Sequence, residues 1–119
     1  MKLQEIKKLT SLESGIDIGI KSRARQVVYA RAIYYKLCRE FTMQSLSAIG
    51  REVGKDHATV LYGINLFDDV VSEFEMECLK IYDRIKLVIM NTDSNKEKYL
   101  SPNIFYKKRY LELEEENRI

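Results

Sequence analysis

One proline and five glycines in 119 residues leave few ways to build this chain from tight turns. A sandwich of short strands needs such turns every few residues, and Gly and Pro supply most of them. The two cysteines, Cys38 and Cys78, lie far apart and match no metal or disulfide spacing. They read as reduced core thiols of a cytoplasmic protein. No uncharged run approaches the roughly 18–20 residues of a membrane span; the apolar stretch Leu87 to Met90 ends after four. The N-terminus, MKLQEIKKL, interleaves charges with its apolar positions and lacks the apolar core of a secretion signal. There is one histidine, and no nucleophile, base and orienter that the sequence can place together. The chain therefore does not read as an enzyme, and no metal or cofactor is expected.

What is present suits a folded domain: 45% apolar and 32% charged residues, enough to bury a core. Net charge is only +2, but it is unevenly spread. From Lys21 to Gly63 there are eight basic and three acidic residues; the remainder holds twelve basic and fifteen acidic. A basic segment in an acidic chain suits a polyanion partner. An ordinary solvated face would look the same.

The apolar spacing predicts helices throughout, and nothing reads as a strand. Leu3, Ile6, Leu9 and Leu12 mark a first helix ended near Gly15. GIDIGI at 15–20 reads as a loop with buried isoleucines, followed by the basic stretch KSRARQ. A second helix runs over about 26–41, with Val27, Ala30, Ile33 or Tyr34, Leu37, Cys38 and Phe41 inward and Arg31, Lys36 and Arg39 off that face. Ser45 can cap a short helix over 46–53 that carries Leu46, Ile49 and Val53 inward and stops at Gly54. Asp56 caps the next, with Val60, Leu61 and Ile64 inward. That helix is expected to run unbroken from 57 to about 90. Its seam, Ile64, Phe67, Val71, Phe74, Cys78, Ile81, Ile85 and Val88, is spaced 3-4-3-4-3-4-3, a heptad pattern. A loop with Pro102 and a last helix over about 104–117 complete an all-α bundle. The seam is expected either to be covered by that last helix or to pair two copies as a homodimer. The acidic run Glu112, Glu114, Glu115 and Glu116 reads as a solvated face rather than a metal site.

The stretch SLSAIGREVGKDHATVLYG carries the functional signal. A short helix, a tight turn at Gly54-Lys55 and a second helix opened by Asp56 have the arithmetic of a helix-turn-helix. The second helix would present Asp56, His57, Ala58 and Thr59 to a ligand. His57 can reach a base edge or a phosphate, Ala58 suits a thymine methyl, and Thr59 can donate to a phosphate. Lys55 in the turn is placed for a phosphate. The upstream arm, Lys21, Arg23 and Arg25, could enter a minor groove, where narrow A·T tracts attract arginine. A plain helical corner inside a bundle would share the spacing.

Those residues resemble the C-terminal DNA-binding domain of the bacterial replication initiator DnaA, whose pattern is roughly a basic pair, A-R-Q, R-E-L-T-x-x-S-L-x-x-I-G and F-G-x-R-D-H-T-T-V-x-H-A. The chain reads RAR (23–25), ARA (30–32), REFTMQSLSAIG (39–50) and VGKDHATVLYG (53–63). The likeness covers about residues 15–68. It implies that Arg23 takes the minor-groove position, Asp56, His57 and Ala58 read the major groove, and Arg31, Lys55 and Thr59 meet the DNA backbone. Ser45 joins the candidate contact set, with Lys21 and Arg25 of the arm. Asp56 is also an N-cap, and the two roles compete for its carboxylate.

Four departures stand out. Ala32 replaces the family's Gln, the turn is one residue shorter, Ala58 replaces the commoner Thr, and Tyr62 stands where the family has His. The initiator also carries an ATPase, and GREVGKD is no P-loop: three residues separate its glycines and Asp follows its Lys. The expectation is a module, residues 1–68, with a helical extension, 69–119, that binds double-stranded DNA at initiator-like boxes without binding nucleotide or melting DNA. Its expected setting is replication or transcription control, as in a virus or mobile element that separated the module from its ATPase. The rival expectation is an interaction or structural protein that keeps the fold, supported by the heptad seam and acidic tail.

Overall fold

In a computed structural model of the protein, residues 1–92 are described, and among them every regular element is helical. The expected last helix, over 104–117, and its acidic run lie outside the described residues. Helix α1 (Leu3–Ser14) buries Leu3, Ile6 and Thr10. Leu12, expected inside, is 73% exposed. A three-residue spacing lags the 3.6-residue turn by about 60° per step, so the fourth apolar residue has rotated to the far side. Thr10 takes the inward place and returns its hydroxyl to the Ile6 carbonyl at 2.8 Å. Gly15, at φ 72°, ends the helix in the left-handed conformation that glycine adopts without strain.

Helix α2 (Arg25–Phe41) is the central element. It is buried on nearly every side between Val27 and Cys38, as a helix surrounded by others must be. Helices α3 (Leu46–Arg51) and α4 (His57–Leu66) pack against it at one end. Leu61, expected in the core, is 50% exposed on the outer face of α4, and Leu46 is half-buried.

The long unbroken helix does not form. After α4 the chain widens into a π-turn (Phe67–Val71), in which the Ser72 N–H reaches back five residues to the Phe67 carbonyl. A single turn, α5 (Ser72–Phe74), follows. At Glu75 the backbone leaves helical geometry (φ −116°, ψ 78°) before α6 (Met76–Thr92) begins. The break divides the heptad seam. Ile64, Phe67 and Val71 stay in the core, Phe74 is left 72% exposed, and the inward face of α6 becomes Tyr82, Ile85 and Ile89. That face packs on α1 and α2 of the same chain. Arg84 meets Glu13 at 3.1 Å, the Tyr82 hydroxyl donates to Glu40, and Lys86 lies 3.8 Å from the same carboxylate. The seam is therefore split: its buried part is covered by the N-terminal helices, and Phe74 is left outside. The expected cover by the last helix lies outside the described residues. One core runs from Leu3 to Ile89, on both sides of residue 68. Cys38 is buried and Cys78 half-buried, both as free thiols. Among the described residues, no helix is long and apolar enough to cross a membrane.

Candidate nucleic-acid interface

The turn between α3 and α4 is fixed by five residues. The Ser45 hydroxyl accepts the Ala48 N–H at 3.1 Å and opens α3. Gly50, at its far end, is buried against the turn. A side chain there would strike the Lys55 carbonyl and stand 2.9 Å from Val60 Cγ2. The Lys55 N–H in turn donates to the Gly50 carbonyl at 2.9 Å. Gly54 supplies the positive φ, 69°, with open space around it. Asp56 Oδ1 then accepts the Thr59 N–H at 2.9 Å and opens α4. That bond holds the exposed carboxyl below the usual carboxylate range.

From this cap α4 turns Val60, Gly63 and Ile64 inward. His57, Ala58 and Thr59 are all exposed, as are Leu61 and Tyr62 one turn on. The inward side seats closely because Gly63 has no side chain: a Cβ there would overlap the Tyr35 ring. Beneath α3, the buried Tyr34 hydroxyl donates to the Ile49 carbonyl at 2.9 Å, tying the bracing helix to α2. Burial pushes the Tyr34 phenol well up, so it remains a donor.

The basic arm lies beside this surface. One cleft of about 280 Å³ is walled by Ser22 and Arg23 of the arm and by Lys55, Thr59 and Tyr62 of the turn and α4. A second, of about 470 Å³, joins Lys21, Arg23 and Lys55 across Glu52. The fold thus brings Arg23 and Lys55, far apart in sequence, beside Thr59 of α4 in one cleft and beside Lys21 in the other. Arg31 is different. Expected as a surface cation, it is 4% exposed and its guanidinium faces the arm from below. It donates to the carbonyls of Ile18 at 2.9 Å and Ser22 at 2.8 Å, and to that of Ile20. Five donors in a planar fork suit that task, and burial is tolerable because the donors are satisfied. Arg31 holds the arm's backbone.

Arg25 also departs from the expected set. It begins α2 and lies over the Tyr29 ring, 5.6 Å from its centroid, with its Nε 3.1 Å from the Tyr29 hydroxyl. It lines a groove with Glu75 and Ile81, not the clefts beside α4. Ser45 lines neither cleft; its lone pair is committed as a cap and its proton is left to donate. Reading from the sequence missed Gly50, Gly63 and Tyr35, and placed Tyr34 inward only as an alternative to Ile33. The glycines carried a signal, since a glycine inside a helical pattern often marks a close approach. The tyrosines carried none beyond apolar spacing.

The family described as bacterial DnaA protein helix-turn-helix matches residues 4–66, more than half of the chain. The chain belongs to that family. Chromosomal replication initiator proteins DnaA are among the similar sequences. That of Streptococcus pyogenes serotype M49 (strain NZ131) is 36% identical over 77 residues, 61% of this chain and 17% of the initiator. That of Lachnoclostridium phytofermentans is 47% identical over 50 residues, 41% of this chain and 11% of the initiator. That of Limosilactobacillus fermentum is 45% identical over 58 residues, 48% and 13% respectively. The chain thus spans less than a fifth of each of these DnaA proteins. The matched stretch, 4–66, takes in α1 as well as the arm and the helix-turn-helix, so the DnaA likeness begins earlier than position 15.

Proposed function

We propose that this chain binds double-stranded DNA sequence-specifically, at sites of the kind DnaA initiators recognise, in the control of replication or transcription. The first turn of α4 would enter the major groove, with His57 and Ala58 at base edges and Asp56 beside them. Arg23 would reach the adjacent minor groove, and Lys21, Lys55 and Thr59 would meet phosphates. Arg31 would act indirectly, by holding the arm. One observation carries the reading: Thr59, which ends the exposed row that His57 and Ala58 begin, lines one cleft with Arg23 and Lys55, and Lys21 joins those two cations in a second. A helix that reads bases needs cations beside it to fix its register on the duplex. A plain helical corner has no need of this grouping.

The test is a gel-shift with a duplex carrying an initiator-type box, against a scrambled duplex, at several salt concentrations. Preferential binding that weakens steeply with salt is expected. Equal or absent retention of both duplexes would sink the proposal and favour a docking role for the same fold.

A further inference from the structure

The floor of the cleft between the arm and α4 holds a polar group with nothing to bind. Tyr35 lines that cleft and is 2% exposed, and its hydroxyl has no hydrogen-bond partner among the described residues. A buried, unpaired hydroxyl is costly, and such groups are few in folded proteins. Tyr34, its neighbour on α2, shows the usual remedy, since its hydroxyl is bound to the Ile49 carbonyl. Tyr35 has been given no such carbonyl.

The surroundings point to an anion. Arg23 and Lys55 stand on the cleft walls, Thr59 offers a hydroxyl, and Arg31 lies under the floor with its charge held in place by the arm. The end of α4 is not the anion's place, because Asp56 already occupies the Thr59 amide. An anion entering here would be held by side chains. Burial raises the Tyr35 phenol to about 12, so it carries its proton at neutral pH and can only add a donor.

We propose that this cleft seats one backbone phosphate of bound DNA, and that the Tyr35 hydroxyl donates to it from the floor once the Lys55 and Thr59 side chains part around it. The inference rests on the DNA-binding reading and adds a contact that is neither cationic nor at a helix end. A donor aimed at a phosphate from a dry site is charge-assisted and among the stronger hydrogen bonds.

The test uses the full chain and Tyr35→Phe, with Tyr35→Met as a second variant lacking the donor. Each is titrated with the duplex that the wild type prefers. A companion series of duplexes carries one neutral methylphosphonate at each backbone position in turn. Loss of the hydroxyl should weaken binding about ten-fold. The salt slope should stay unchanged, because a neutral donor displaces no counterion. Thermal stability of Tyr35→Phe should be equal or higher, because an unpaired group has been removed. At one methylphosphonate position the wild type should lose more affinity than Tyr35→Phe does, since Arg23 and Lys55 still meet that phosphate in the variant. If both variants bind as the wild type does, or lose as much as it does at every methylphosphonate position, the phosphate seat is wrong and DNA binding stands. A wild type that binds no duplex would remove the DNA-binding reading itself.

Discussion

Gly50 and Lys55 are locked face to face: the Lys55 N–H donates to the Gly50 carbonyl at 2.9 Å, and the Lys55 carbonyl fills the space where a Gly50 side chain would begin. Gly54, between them, has open space but a φ of 69°. The two glycines are required for different reasons, and alanine separates them. Gly54→Ala should cost about 1–2 kcal/mol, the strain of a left-handed residue. Gly50→Ala should cost at least as much, about 1–3 kcal/mol from overpacking. It should also shift α4 and impair DNA binding beyond its loss of stability. Urea melts beside affinity measurements check this; equal loss of DNA binding from both variants would contradict it.

Tyr34→Phe leaves the Ile49 carbonyl without its phenol donor. A loss of about 1–3 kcal/mol is expected, as for other buried polar groups that lose a partner. Denaturant midpoints at constant slope measure it. Tyr35→Phe, one residue along the same helix, should show no such loss.

Lys55→Ala should weaken every DNA sequence alike and lower the salt slope by about one. His57→Ala should instead cost roughly 1–3 kcal/mol on the preferred site and relax preference there. Arg23→Ala should act selectively on sites with an A·T-rich flank. Binding isotherms at three salt concentrations distinguish these patterns, and identical behaviour of the three variants would undo the assignment of roles.

Arg31→Met should free the arm. Limited trypsin digestion should cut at Lys21 and Arg23 faster than in the wild type, and A·T-flank preference should fall as it does for Arg23→Ala. Unchanged cleavage at both sites would show that the arm is held by something other than this guanidinium.

Asp56 sets a pH dependence. Its carboxyl titrates below the ordinary range because, first, it accepts the Thr59 backbone N–H. A lowered folded-state pKa means the cap stabilises α4 fully above the unfolded carboxyl pKa and is lost as pH falls through the lowered value. Asp56→Asn keeps an acceptor without the titration. It should flatten the acid limb of the melting curve. If α4 faces DNA as proposed, removing this negative charge should also raise affinity for all sequences. Weaker binding of Asp56→Asn to the preferred site alone would show instead that the carboxylate reads a base.

How far the sequence was legible can be traced to what each signal encodes. Ser45, Gly54 and Asp56 announced the turn correctly, because caps and left-handed residues are local chemistry. The seam from Ile64 to Val88 misled, because periodicity reports which residues want burial and not whether the helix between them is continuous. A π-turn and a break at Glu75 leave the 3-4 spacing intact while turning its two halves to different partners. Arg31 misled for a related reason. Its charge and its family position both marked it as a surface residue, and nothing within three or four residues of it signalled the three carbonyls of Ile18, Ile20 and Ser22. The clefts beside α4 were invisible for the same reason, being assembled from segments 20 or more residues apart.

The contact of α1 with α6 has a consequence in time. Glu13 and Arg84 are 71 residues apart in sequence, and the apolar face of α1 finds part of its cover only when α6 is present. On a ribosome, the N-terminal helix and the whole helix-turn-helix emerge before the segment that closes the core. Contacts of such long sequence separation are made late and slow the folding of an otherwise local, helical chain. A nascent chain halted near residue 68 would therefore leave the side of α1 that meets α6 open to whatever chaperone meets it, although the contacts of α3 and α4 with α2 could already form.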